Sequence, residues 1–383
     1  MKPRLLTPGP SMVPEETLLE LAKPVTYHRS AEFRQVLAEV EENLKYVFRT
    51  KNTVCILTSS GTGGMEAALA NCLAPGQKAI LLISGRWGER WKNLCKAFGV
   101  EAVNVTVPYG QAVPPEALKK ALADHPDAKA VCATLSETAT GVANDIEAYG
   151  KLVAPTPAVL LVDTISGLGV VPCETDAWNI DLNVTGSQKA LMLPPGLAFV
   201  SVSPKAWKVI EANTAAKLFY FDLKKYRDKI EKESDTPYTP ANTLIKAMRL
   251  SLQRMRKEGI ENVWKRHAKL GAAARAGIRA MGLELFAERP TDGLTVAKMP
   301  ANLDSSPLIS KLEKQYGLRV ANGQDTLKGK IIRIAHMGYT DQFDVLAALS
   351  GLELVLLEAG FPVKPGSGVA AAQQVFAEGV KPS

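Results

Sequence analysis

The sequence predicts an α/β fold: a mainly parallel sheet covered by helices on both faces, followed by a smaller α+β unit. Two observations carry the first part. Short, continuously apolar runs alternate with helix-length amphipathic stretches between residues 53 and 162, and the runs lack the polar alternation of a half-exposed sheet. One observation carries the second. After about Phe219 the texture shifts to charged stretches and one long helical reach, then to a short series of mixed elements.

In order, residues 7–14 hold three prolines, which remove backbone donors and fix φ, so this stretch is an ordered arm or loop. Helices are expected at 15–22 and at 32–48, the second with apolar residues at Phe33, Val36, Leu37, Val40, Leu44 and Val47. Strands then fall at 53–58, 78–84, 101–107, 128–134 and 158–162, separated by helices at 64–73, 89–98, 115–123 and 146–153. Two more strands, 182–184 and 197–202, flank a turn containing Lys189. A helical reach follows from 242 to 281, with Gly259 at a possible bend. Strands at 295–297 and 330–335 and helices at 306–316 and 341–359 complete the chain. This divides it into an arm (1–14), a large unit (15–255) and a small unit (256–383).

Composition excludes several functions. The chain has 383 residues and a net charge of +7, with its basic residues interspersed among acids, as in the stretch 224–233. That pattern is a solvated helix face, not a basic stripe for nucleic acid. Five cysteines without a CxxC pair read as buried free thiols of a reducing, cytoplasmic setting, and four scattered histidines show no metal-ligand spacing. No stretch is long and apolar enough to span a bilayer.

Five features carry chemistry. Ser60-Gly61-Thr62-Gly63-Gly64 follows a strand and opens a helix, so backbone N–H groups and a helix N-terminus converge on a place suited to phosphate, or the glycines merely make a turn. Asp163 ends an apolar strand, where ligands bind in open parallel sheets; it is a helix N-cap or the acid that keeps a pyridinium nitrogen protonated. Trp87 follows another strand end and either packs or stacks on a planar ligand. Arg333 lies within an apolar strand and needs an anion, either an internal partner or a substrate carboxylate. Lys189 follows Gly186-Ser187-Gln188; a desolvated amine there has a lowered pKa and can form a Schiff base with an aldehyde.

With these motifs the chain resembles the class V, fold-type I pyridoxal 5′-phosphate aminotransferases, in the alanine–glyoxylate and serine–pyruvate branch. The resemblance covers nearly the whole length, through Pro8-Gly9-Pro10, His28-Arg29-Ser30, Ser60-Gly61-Thr62, Trp87-Gly88, Glu137-Thr138-Ala139-Thr140-Gly141, Asp163, Gly186-Ser187-Gln188-Lys189 and the stretch from Arg333 to Gly338. It implies that Lys189 holds the cofactor and acts as catalytic base, that Asp163 meets the ring nitrogen and Trp87 the ring face, and that Thr138 lies near the ring oxygen. It further implies Ser60, Gly61, Thr62 and Gln188 at the phosphate, Ile165 against the cofactor, and Arg333, Gly9 and His28 toward the substrate. Tyr238 and Thr239 would complete the phosphate site from the second subunit of a homodimer. The substrates implied are a small amino acid and a 2-oxo acid; aspartate and 2-aminoethylphosphonate are alternatives. A cysteine desulfurase would need a cysteine in the second half and commonly a histidine before the lysine; none follows Cys173, and Gln188 precedes Lys189. A non-catalytic subunit retaining the fold is the remaining alternative.

Overall fold

The computed structural model describes residues 3–378; the first two residues of the expected arm and the last five of the expected small unit lie outside it. Seven strands form the central sheet: β1 (Val54–Thr58), β2 (Lys78–Ile83), β3 (Glu101–Thr106), β4 (Ala130–Thr134), β5 (Val159–Asp163), β6 (Leu182–Gly186) and β7 (Leu197–Val202). Their order is β1-β7-β6-β5-β4-β2-β3. β7 is antiparallel to both of its neighbours, while β6, β5, β4, β2 and β3 pair in parallel.

Both faces of this sheet are buried, and the strand period of two sorts the residues between them. Ile80, Leu82, Val131, Ala133, Leu160 and Val162 enter one core cluster. Their alternates Ala79, Leu81, Ala130, Cys132, Val159 and Leu161 enter another. The first is closed chiefly by the amphipathic helix α2 (Ala31–Phe48), after α1 (Glu15–Leu21); the second is closed by α3 (Gly61–Cys72) and α4 (Arg86–Ala97). All five cysteines are free and buried, as their apolar settings suggest.

Two helices begin earlier than their sequence suggests. α3 starts at Gly61 rather than residue 64, and α4 at Arg86 rather than 89. Glycine is a poor helix former, yet small residues are what the packing of α3 demands: a Cβ at Gly64 would stand 2.8 Å from Val184 Cγ1. The long helical reach is two helices, Asn242–Glu258 and Ile260–Ala280, broken at Gly259 with φ +85°. Helices at Pro204–Ala212 and Ser367–Ala377 have no counterpart in the sequence reading.

Beyond the break, a three-stranded sheet, Leu294–Lys298, Ile331–Ala335 and Ala321–Asn322, packs with helices Ser305–Tyr316 and Gln342–Glu358. The N-terminal arm joins this part: Arg4–Leu5 pairs in parallel with Leu318–Arg319, and Leu6 is buried in the third core cluster. The arm then crosses back to the central sheet, where its proline-bounded stretch covers the turn after β6. No described helix is long and apolar enough to cross a membrane.

Candidate active site

β6 ends at Gly186 and the chain reverses into β7 through a closed turn. Ser187 Oγ donates to the Pro194 carbonyl at 2.8 Å and accepts from the Leu197 amide at 3.2 Å, tying both ends of the reversal. The arm fixes the middle: Ser11 donates its amide to the Gln188 carbonyl at 3.0 Å and its hydroxyl to the Lys189 carbonyl at 2.6 Å. Lys189 is thereby turned inward, and its ammonium donates to the Pro8 carbonyl. Desolvation pulls its pKa from 10.5 down to about 8; Asp163 opposes this, while Arg333 and Arg90 add to it.

Asp163 stands at the C-terminal end of β5, in the same pocket. Burial pushes its pKa up to about 6, against the Ile165 amide, which donates to Oδ1 at 2.8 Å, and the charges of Arg90 and Lys189. The chain continues from Asp163 into turns, not a helix, so the helix N-cap alternative is set aside.

The opening of α3 faces this pair. The Ser60 side chain makes no cap hydrogen bond, leaving the helix N-terminus open to an anion. Gly186 lets Gln188 and the start of α3 approach closely: a Cβ would lie 3.1 Å from Gln188 Oε1 and 3.4 Å from the Gly61 nitrogen. Gln188 Oε1 itself is buried without a partner. Thr62 Oγ1 accepts from Arg90 Nη1 at 2.7 Å, and the Arg90 guanidinium stands 4.3 Å from the Trp87 ring centroid. Helix terminus, hydroxyls and guanidinium together suit a phosphate.

Trp87 is oriented from both ends. Its indole donates to Thr138 Oγ1 at 2.7 Å and its amide to Glu137 Oε2 at 2.8 Å. Glu137 is fully buried and also accepts from the Gly88 and Ala139 amides; burial still raises its pKa to about 7. Arg333 is 5% exposed and donates to two carbonyls, Asn322 O at 2.7 Å and Thr138 O at 2.8 Å. No carboxylate is ion-paired with it among the described residues, so the internal salt bridge is absent. Its pKa falls to about 10 through burial first, with Glu137 opposing and Arg86 adding.

Ser60, Gly61, Thr62, Trp87, Asp163, Ile165, Gln188 and Lys189 line one pocket, with Thr138, Arg333 and Gly9 bonded to or packed on its edge. Arg90, Ser136 and Ser166 also line it, and sequence reasoning gave none of them a role. Arg90 is three residues after Trp87 on α4, so helical spacing alone would have put the two side by side. Three candidates lie elsewhere in the single chain. The His28 ring packs edge-on against Tyr27, Tyr238 donates its hydroxyl to the Phe219 carbonyl at 2.6 Å, and Thr239 is exposed. None of the five cysteines lines the pocket.

Residues 7–347 match the family described as aminotransferase class-V. The chain is 42% identical to a protein of Synechococcus sp. (strain PCC 6716) described as the small subunit of a soluble hydrogenase, over 98% of each chain. It is 36% identical to the serine–glyoxylate aminotransferase of Methylorubrum extorquens, over 98% of this chain and 96% of that one. The crystal structure of pyridoxamine–pyruvate aminotransferase from Mesorhizobium loti superposes with a TM-score of 0.95 at 30% identity, covering 99% and 98% of the two chains. With a matched model over most of its length and a lysine, an acid and an anion cup gathered at the strand ends, the chain belongs to the class-V aminotransferases and has their fold-type I architecture.

Proposed function

We propose that this aminotransferase moves an amino group from a small amino acid, alanine or serine, to a 2-oxo acid such as glyoxylate or pyruvate, using pyridoxal 5′-phosphate. The observation that supports it best is the placing of Lys189, its amine pushed toward neutrality, in one pocket with Asp163 and the open N-terminus of α3. The uncapped Ser60 at the open N-terminus of α3, with the Arg90 guanidinium in the same pocket, fits a phosphate-bearing ligand.

When bound, the cofactor supplies an aldehyde and a pyridine ring that takes up electrons from the substrate α-carbon. The chain does the rest. Ser60, Gly61, Thr62 and Gln188, with Arg90, hold the phosphate; Asp163 keeps a proton at the ring nitrogen; Trp87, Ile165 and Thr138 fix the ring. Arg333 binds the substrate α-carboxylate through its fork of donors. Lys189 carries the proton away from the α-carbon and returns it, which its lowered pKa suits at neutral pH. Gly9 closes the lysine side of the site.

Tyr238 and Thr239 belong to the same reading as contributions to the phosphate site from a second subunit, in a homodimer located in the cytoplasm, and His28 as a residue toward the substrate. The division near residue 255 also belongs to it, supported by the break at Gly259 and the third core cluster, which gathers residues from Leu270 onward with Leu6. The Synechococcus relative's description favours a second reading, a subunit without amino transfer. Adding alanine or serine to the purified protein separates them: the visible absorbance should change, and Lys189→Ala should abolish the exchange. Wild-type turnover in that variant would sink the assignment, and failure of the wild type to retain cofactor would favour the subunit.

A further inference from the structure

We propose that Arg86 selects the substrate side chain, receiving the distal carboxylate of a dicarboxylic amino or oxo acid in place of its resting partner Asp325. The inference rests on the aminotransferase reading and extends its substrate class.

A closed circuit of contacts links Arg86 to Arg333, the residue proposed for the substrate carboxylate. Arg86 is the first residue of α4 and precedes Trp87, whose indole is bonded to Thr138 Oγ1. The Thr138 carbonyl accepts from Arg333, and the other side of that guanidinium donates to the Asn322 carbonyl. Three residues on, Asp325 turns back and pairs with Arg86 Nη1 at 3.0 Å. Arg86 and Arg333 thus lie at two points of one ring, near enough that the charge of Arg86 helps to lower the pKa of Arg333. Of these two guanidinium groups, only Arg86 has a carboxylate partner among the described residues.

That partner is replaceable. The Arg86 and Asp325 side chains are 40% and 63% exposed, and ion pairs open to water hold weakly. Asp325 is held at φ +50°, a conformation uncommon for residues other than glycine, at the start of the short turn Asp325–Leu327. Beside it, Gln324 carries a buried amide oxygen with no hydrogen-bond partner. An aminotransferase must take two different substrates through one site. An exposed pair that opens for an acidic side chain and stays closed for a neutral one meets that need.

The test compares kcat and KM of the holoenzyme for L-aspartate and L-alanine, with glyoxylate as acceptor. Arg86→Met should lower the aspartate-to-alanine ratio of kcat/KM at least tenfold, mainly through KM for aspartate, and Arg86→Lys should restore part of it. Asp325→Asn should raise the ratio several-fold, since asparagine tolerates positive φ and leaves Arg86 unpaired. A pair that only pins the loop would make both variants move the ratio the same way or not at all, and either result overturns the proposal. A wild type active on alanine but not on aspartate overturns it too, leaving the aminotransferase reading intact. Absence of turnover with every donor would overturn both.

Discussion

Gly9 and Lys189 are in direct contact: a Cβ at Gly9 would overlap the lysine side chain, reaching within 2.6 Å of its Cδ and closer still to its amine. Gly9 also sits at φ +123°, where side chains are strained whatever the space. The arm and the lysine were therefore matched to each other, although 180 positions separate them.

Gly9→Ala should accordingly displace the amine without unfolding the protein. Misplacing a reacting group by about 1 Å can cost roughly 100-fold in rate, and a loss of that order in kcat/KM is expected. Circular dichroism should show the wild-type fold. A variant with full activity would show that the contact does not position the amine.

The acids of the site make the cofactor-free protein sensitive to pH. Asp163 and Glu137 have folded pKa values of about 6 and about 7, raised from 3.8 and 4.5 mainly by burial. Raised acids favour the protonated folded form, so their stabilising share is complete below about pH 4 and is lost as pH rises through 6 and 7. Each shift corresponds to roughly 3 kcal/mol. Lys189 acts in another window: its lowered pKa makes the unfolded chain bind more protons between about 8 and 10.5, so stability recovers there. Asp163→Asn and Glu137→Gln should each flatten the decline between pH 4 and 7, measured as the difference in urea midpoints from wild type. Parallel wild-type and variant curves would contradict the assignment.

The large sheet was legible because its strands are buried on both faces and so are apolar at every position, as in Val159–Asp163. Helix starts were less legible where packing overrode propensity, as at Gly61 and Gly64. Lys189 and Asp163 could be read from their positions at strand ends. Glu137 could not, because its burial comes from three backbone amides supplied by the start of α4 and by its own turn. Tyr238, Thr239 and His28 lie outside the one-chain pocket.

Arg90 joins two parts of the site that sequence reasoning kept separate, the Thr62 hydroxyl and the Trp87 ring. Burial lowers its pKa, and Asp163 opposes that change. Arg90→Met keeps the aliphatic stem and removes the charge. Loss of one charge-assisted bond and of the contact with the ring should weaken cofactor binding by about tenfold, or roughly 1.4 kcal/mol. Fluorescence titration of the cofactor-free protein would read it; unchanged affinity would place Arg90 outside the binding set.

Arg333 gives the sharpest separation of stability from function. Its guanidinium is buried against carbonyls without an ion pair, a costly state for the fold by itself. Arg333→Lys preserves the charge but not the planar fork, and should lower kcat/KM by about 100-fold, mostly through KM. Arg333→Met removes the buried charge and should leave the denaturant midpoint equal or higher while activity falls further. Destabilisation by several kcal/mol on Arg333→Met, with substrate affinity retained in Arg333→Lys, would instead make the arginine a structural strut. Opposite movement of stability and activity is the result expected of a charge held for a substrate anion, and joint loss of both is the result expected of a strut.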